Sequence, residues 1–371
     1  MMEVKKATIL VVSIKRRKKK TNEEGRKIMS LPNKSRTLAK AFSGSFSLSL
    51  DFIFSKSQTT AFFYIQIVYS RILGVDEKSM MEILVKWHPE DLTTFRNESS
   101  SIFLKDKYFL FERWQDYHIA FLVKEFLRFQ DVVVQWTMHP WERDARMARK
   151  ALDGRPQAYG LLIELACTRS SDELLGARKA YQSLYAESIE EDIASRVEGI
   201  ERQLLVALVS TYRYEGSRIN DVAVRSEAIK LGITINRHGD KKKLFKDEEI
   251  VRILATRSKP HLKAVFKCYK ETFNKNIEED LDETSLKDTI YCLYAPPMYF
   301  SKILDSAMKA NANEDEKEAL TRVIVTRANV DIKEIAEEYN KQYGTPLTKK
   351  IEDVALGNYK DFLVTLVQRA G

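Results

Sequence analysis

Glycine and proline are scarce, at 13 and 8 of 371 residues. A chain this poor in turn-formers is not a set of short strands joined by tight turns, which excludes most sandwiches and barrels. Cysteine is scarcer still. Cys167, Cys268 and Cys292 form no CxxC pair and an odd total. That excludes a disulfide framework and points to buried thiols in a reducing compartment. Long apolar runs are missing too. The most apolar stretch, Ala61–Tyr69, is nine residues, flanked by Asp51, Lys56 and Arg71, and a spanning helix needs about 20. Ala7–Ile14 is followed by the block Lys15–Lys20 where a signal peptide would place small residues, so no cleavable signal is expected.

Positive charge is absent from most of the chain. The net charge is +8, yet residues 1–30 hold ten Lys/Arg against three Glu, a net of +7 that leaves +1 for the other 341. Bulk attraction to nucleic acid is not expected, and Lys15–Lys20 reads as a solvated leader rather than a nuclear or phosphate-binding address. Enzyme signatures are also missing. The five histidines make no HExxH pair, and there is no Walker loop, GxSxG or dinucleotide fingerprint. The chain is not expected to be an enzyme.

What is present is helical periodicity and recurrence. Hydrophobic residues make up 44%, and from about Lys78 onward they recur at helical spacing. Leu161, Leu162, Leu165 and Ala166 share one helix face, as do Ala177, Tyr181, Leu184 and Tyr185. Leu165-Ala-Cys-Thr-Arg-Ser170 returns as Leu254-Ala-Thr-Arg-Ser258 and Val323-Ile-Val-Thr-Arg-Ala328. Arg169, Arg257 and Arg327 are thus spaced by 88 and 70 residues. Tyr181, Tyr269 and Tyr339 keep those offsets, as do Tyr185, Phe273 and Tyr343, and then Ile189, Ile277 and Leu347. Markers sharing two offsets identify duplicated units. A worn first copy has Met81–His88 for the phrase and Trp114 with His118 for the aromatic pair. Each unit reads as four or five short helices. The recurring Arg should end a helix and meet its terminal carbonyls, and Ser170 with Glu173 reads as an N-cap.

These phrases resemble the annexin repeat. Trp141-Glu-Arg-Asp-Ala145, Cys167-Thr-Arg-Ser-Ser171, Leu174–Tyr181 and Leu320–Arg327 are similar to plant annexin sequences, and the resemblance covers roughly residues 33 to 371. It implies an all-α fold of four repeats forming a curved disc, with interhelical loops that bind Ca²⁺ and anionic phospholipid together. The implied divisions are a basic leader at 1–32 and repeats at 33–141, 142–217, 218–303 and 304–371. The implied calcium loop reads Gly-x-Gly-Thr/Val-Asp-Glu, with a closing carboxylate about 40 residues later. Ca²⁺ takes six to eight oxygens, so carbonyls plus one carboxylate leave room for a lipid phosphate.

Against that pattern three loops are poor. Leu152–Gln157 and Asn236–Lys243 have one glycine each, and Ala312–Lys317 has none. Val354 stands where the fourth closing carboxylate belongs, with Asp353 one position off. In the first repeat, Leu73-Gly-Val-Asp-Glu77 is the second half of a good loop, and joining Gly44 to Leu73 restores the whole. Residues 45–72 then form a 28-residue insertion inside the calcium site. This insertion and residues 1–28 read as a retained intron and an upstream extension. The expected calcium ligands are the carbonyls of Gly44, Leu73 and Gly74 with Glu125. A second, calcium-independent lipid contact is weighed at Lys241, Lys242 and Lys243, beside Leu244 and Phe245, at about 1 kcal/mol per lysine, against a solvated charge run, which is the reading favoured from sequence. Asp91, Glu98 and Asp106 read as surface charge, and Val251–Leu254 as core rather than an actin-binding phrase. The expectation is a cytoplasmic protein recruited to anionic membranes. The alternative is a calcium-independent scaffold for actin or other annexins.

Overall fold

In the computed structural model, residues 81–82, 84–100, 102–116, 119, 128–154, 159–237, 241–281 and 284–369 are described. They hold 16 α-helices and one two-stranded hairpin. The first unit contributes α1 (Pro89–Glu98), the hairpin strands β1 (Phe103–Lys105) and β2 (Glu112–Trp114), and α2 (Arg128–Thr137). The second contributes α3 (Pro140–Asp153), α4 (Gly160–Thr168), α5 (Ser171–Tyr185), α6 (Ile189–Arg196) and α7 (Arg202–Ser210). The third has α8 (Asp221–Arg237), a 3₁₀ turn (Lys241–Lys246), α9 (Glu248–Thr256), α10 (Lys259–Phe273), a 3₁₀ turn (Ile277–Asp280) and α11 (Thr284–Tyr294). The fourth has α12 (Pro296–Ala307), α13 (Glu314–Arg327), α14 (Ile332–Tyr343), α15 (Leu347–Val354) and α16 (Gly357–Arg369).

The shared offsets have a physical counterpart at helix ends. Ser170 and Ser258 cap α5 and α10, each accepting from the N–H three residues on, at 3.2 and 3.3 Å. Those helices and α14 all end in a left-handed residue: Ala186, Asn274 and Gly344, with φ of 58°, 57° and 67°. One turn earlier sit the aromatic pairs, with ring centroids 4.8, 4.7 and 4.7 Å apart in Tyr181–Tyr185, Tyr269–Phe273 and Tyr339–Tyr343. Tyr181, Tyr269 and Tyr339 are buried, as are Ile189, Ile277 and Leu347.

The recurring arginines do end helices, but their guanidinium groups reach carboxylates rather than carbonyls. Arg169 makes two 2.8 Å bonds to Asp144 on α3, and both residues are buried. Arg257 bonds Glu227 on α8, and Arg327 bonds Asp331 at 2.7 and 2.6 Å. Each phrase therefore fastens one helix to its neighbourhood through a charge-assisted pair.

Units pack in twos. Helices α4 and α11 meet, as do α7 and α9, joining the second unit to the third; α2 meets α13 and α16, joining the first to the fourth. Cations cross these seams to cap helix C-termini. Lys259 at the start of α10 donates to the carbonyls of Thr168 and Arg169 at the end of α4, at 3.2 and 3.0 Å. Arg213 donates to Leu254 (2.8 Å) and Arg257 at the end of α9. Arg369 donates to Val85 and Trp87 at 2.9 and 2.7 Å. Arg322 on α13 pairs with fully buried Glu164 on α4, linking the two halves.

Three expectations need correction. Trp114 is not a helical aromatic: it lies on β2, paired with Phe103 on β1. Asp106 is not surface charge. It is buried and accepts from the N–H groups of Tyr108 (2.9 Å), Leu110 and Phe111 (3.0 Å) and from the Ser183 hydroxyl (3.0 Å). Burial alone would raise its pKa, but these donors hold the carboxyl below its usual range. Cys268 is half-buried, unlike Cys167 and Cys292. Val251, Ile253 and Leu254 are core, as expected.

Candidate functional site

The corner where α3 ends and α6 ends is the second unit's candidate calcium loop. The last residue of α3 is Asp153, and the last of α6 is Arg196. Arg196 donates to Asp153 and to Asp192 at 3.0 Å each, with Glu187 at 3.7 Å. Arg149, one turn before Asp153, donates to Asp153 and Asp192 at 3.0 Å and to Glu187 at 3.1 Å. Two guanidinium groups thus sit among three carboxylates. The Tyr181 hydroxyl also donates to Asp192. Burial alone would raise the Asp192 pKa; the Tyr181 and Arg196 bonds outweigh it and lower it.

Arg196 occupies a telling register. Stepping back from Val354 by the two repeat offsets gives Thr284 and then Arg196. The closing position is therefore Arg, Thr and Val in the last three units, and none can ligate Ca²⁺ through a carboxylate. In the second unit Asp153, Glu187 and Asp192 are already held by the guanidinium groups of Arg149 and Arg196. In the fourth, Val354 is 44% exposed and Asn313 caps α13, accepting from the Glu316 N–H at 2.9 Å. The offsets that aligned the three arginines contained this signal. Among the described residues no three His, Cys, Asp or Glu side chains converge as metal ligands.

Gly44, Leu73, Gly74 and Glu125 lie outside the described residues, as do the insertion 45–72, the leader 1–32 and His118. Lys241, Lys242 and Lys243 open the 3₁₀ turn after α8, and Lys243 is exposed. Leu244 and Phe245 are fully buried, so they anchor this turn and are not available to a membrane.

Relatives decide the family. A sequence model of the Annexin family matches residues 143–208, 235–287 and 299–366. Annexin D4 of Arabidopsis thaliana is 44% identical over 301 residues, covering 80% of this chain and 94% of that protein. The chain belongs to the annexin family. Annexin-like protein RJ4 of Fragaria ananassa is 42% identical over 246 residues, covering 64% of this chain and 76% of its own. Among solved annexins, annexin III superposes with a TM-score of 0.69 at 22% identity, over 92% of this chain and 96% of that one. Calcium-bound annexin (Sm)1 gives 0.66 at 16% identity, over 90% and 89%. The fold is the all-α annexin disc of repeats, and the family is generally one of calcium-dependent phospholipid binding. No helix among the described residues is long and apolar enough to cross a membrane.

Proposed function

We propose that this annexin associates peripherally with anionic membranes and that its calcium response rests on the first repeat alone. The observation that carries this reading is Arg196, a built-in cation at the closing position of the second repeat's loop. Thr284 and Val354 at the equivalent positions extend it to the third and fourth repeats. Gly44, Leu73 and Gly74 would supply carbonyls and Glu125 the carboxylate. Bound there, Ca²⁺ would link those oxygens to a lipid phosphate. Residues 45–72 interrupt this loop, and since closure entropy grows only logarithmically with length, the site is impaired rather than abolished. Repeat limits near 33–141, 142–217, 218–303 and 304–371 are part of this reading, with the second and fourth repeats taken from the first residues of α3 and α12, Pro140 and Pro296, since 141/142 and 303/304 fall inside those helices.

The test is co-sedimentation with phosphatidylserine vesicles in calcium and in chelator, for the full chain, for Glu125→Ala, and for a chain lacking residues 1–28 and 45–72. The expected result is calcium-dependent pelleting that is stronger in the trimmed chain and lost in Glu125→Ala. Calcium-dependent pelleting that survives Glu125→Ala overturns the first-repeat assignment. Indifference to vesicles in every arm favours the scaffold for actin or other annexins.

A further inference from the structure

Outside the leader two stretches are strongly basic: residues 257–270 hold five Lys/Arg and no acid, and residues 218–246 join their positive charge to an exposed apolar face. Residues 218–246 hold eight Lys/Arg against three Asp/Glu, a net of +5. Residues 31–371 sum to +1, so the remaining 312 of them carry −4. Of the three acids, Glu227 is buried and already receives Arg252, Arg257 and His261. This basic stretch is helix α8 with the turn that follows it.

The outward face of α8 is not simply polar. Val222, Ile229 and Ile233 are 79%, 45% and 50% exposed. At 3.6 residues per turn they fall within about 40° of arc and run for about 16 Å. Lys230 and Arg237 flank this spine on one side and Arg225 on the other, all exposed; Lys230 also pairs with Glu249 at 3.0 Å. The opposite face, with Val224, Ala228, Leu231 and Ile235, is core. Beyond Arg237 the chain enters Lys241–Lys246, whose Leu244 and Phe245 tether the turn and leave Lys243 and Lys246 outward.

We propose that this face of α8, continued by the lysine turn, is a calcium-independent docking surface for an anionic lipid bilayer. It rests on the membrane reading above but not on the calcium site. An apolar spine with long basic side chains on both sides suits the headgroup boundary: the spine enters it and the cations meet phosphates. A protein pocket is a poorer occupant, because the spine has only short β-branched side chains and no aromatic anchor. A second copy docking face to face would oppose like charges.

The experiment uses the full chain in chelator, with vesicles of phosphatidylserine mixed one to three with phosphatidylcholine and with phosphatidylcholine alone. Wild type is expected to bind the anionic vesicles only, and less as salt rises. Ile229→Ser with Ile233→Ser is expected to weaken binding about tenfold, as is alanine at Lys241, Lys242 and Lys243 together. Circular dichroism melts check that both variants fold, and Arg225→Glu with Arg237→Glu serves where one does not. Equal binding to neutral vesicles, no binding in chelator, or unchanged binding by the Ile229/Ile233 variant overturns the proposal. The last outcome assigns the binding to another basic segment. Adding calcium separates the two readings: a calcium increment with no chelator binding sinks only this one, and chelator binding with no increment sinks only the Glu125 site.

Discussion

Buried charge is used here as a fastener, and Arg169–Asp144 is its clearest case. Both groups are nearly inaccessible and make two parallel bonds. Removing one partner strands the other, which costs about 3–5 kcal/mol. Arg169→Ala should lower urea-unfolding stability by that order without altering vesicle binding. His139 gives a pH signature. It caps α3, its Nδ1 accepting from the Trp141 N–H at 3.2 Å, so it must be neutral. Burial, then the charges of Arg96 and Arg143, push it down to about 3. An unfolded histidine titrates near 6.5. Its stabilisation is present above that value and is lost as pH falls toward 3, by about 1.4 kcal/mol per unit. Glu142, pushed up to about 7 by burial, works oppositely between pH 4.5 and 7. The slope to compare is therefore wild type against His139→Gln, and the variant should lose less stability on acidification. Neither role was legible in the sequence. Phrase recurrence marked Arg169 as important, but its partner 25 residues away emerges only once α3 and α4 are packed.

Among the elements, helix termini were the best-read feature. Ser170, the aromatic pairs and the terminal arginines all fell on helix ends or faces as periodicity required, because capping and 3.6-residue spacing are local properties. The hairpin escaped for the opposite reason. Strands of three residues carry no measurable alternation, and the turn between them is held by Asp106 through backbone donors and Ser183 of the next repeat. Likewise, nothing in the sequence singled out Val222, Ile229 and Ile233 on α8, whose exposure depends on how that helix is packed. The left-handed helix ends support a prediction. Of Ala186, Asn274 and Gly344, only alanine has neither a glycine's freedom nor an asparagine's local hydrogen bonding. Ala186→Gly should raise thermal stability by about 1 kcal/mol, read as an upward shift in Tm, whereas Gly344→Ala should lower it similarly.

At the scale of the molecule, Lys259 shows how the repeats cooperate. A cation in the first turn of its own helix opposes that dipole, yet its ammonium satisfies the last carbonyls of α4. Lys259→Ala should destabilise the chain by about 1–2 kcal/mol. Hydrogen exchange should show the loss of protection at the end of α4, ninety residues away in sequence, more than within α10. Arg213 and Arg369 make the same kind of contact elsewhere, each satisfying a helix belonging to a different repeat. These crossed caps have a consequence for how such a chain can grow or shrink. A single repeat excised from it would expose bare carbonyls at one helix end and carry an idle cation at another. A pair would keep both obligations within itself. The smallest contiguous piece that evolution could copy, lose or transplant with its caps intact is therefore the middle pair of repeats.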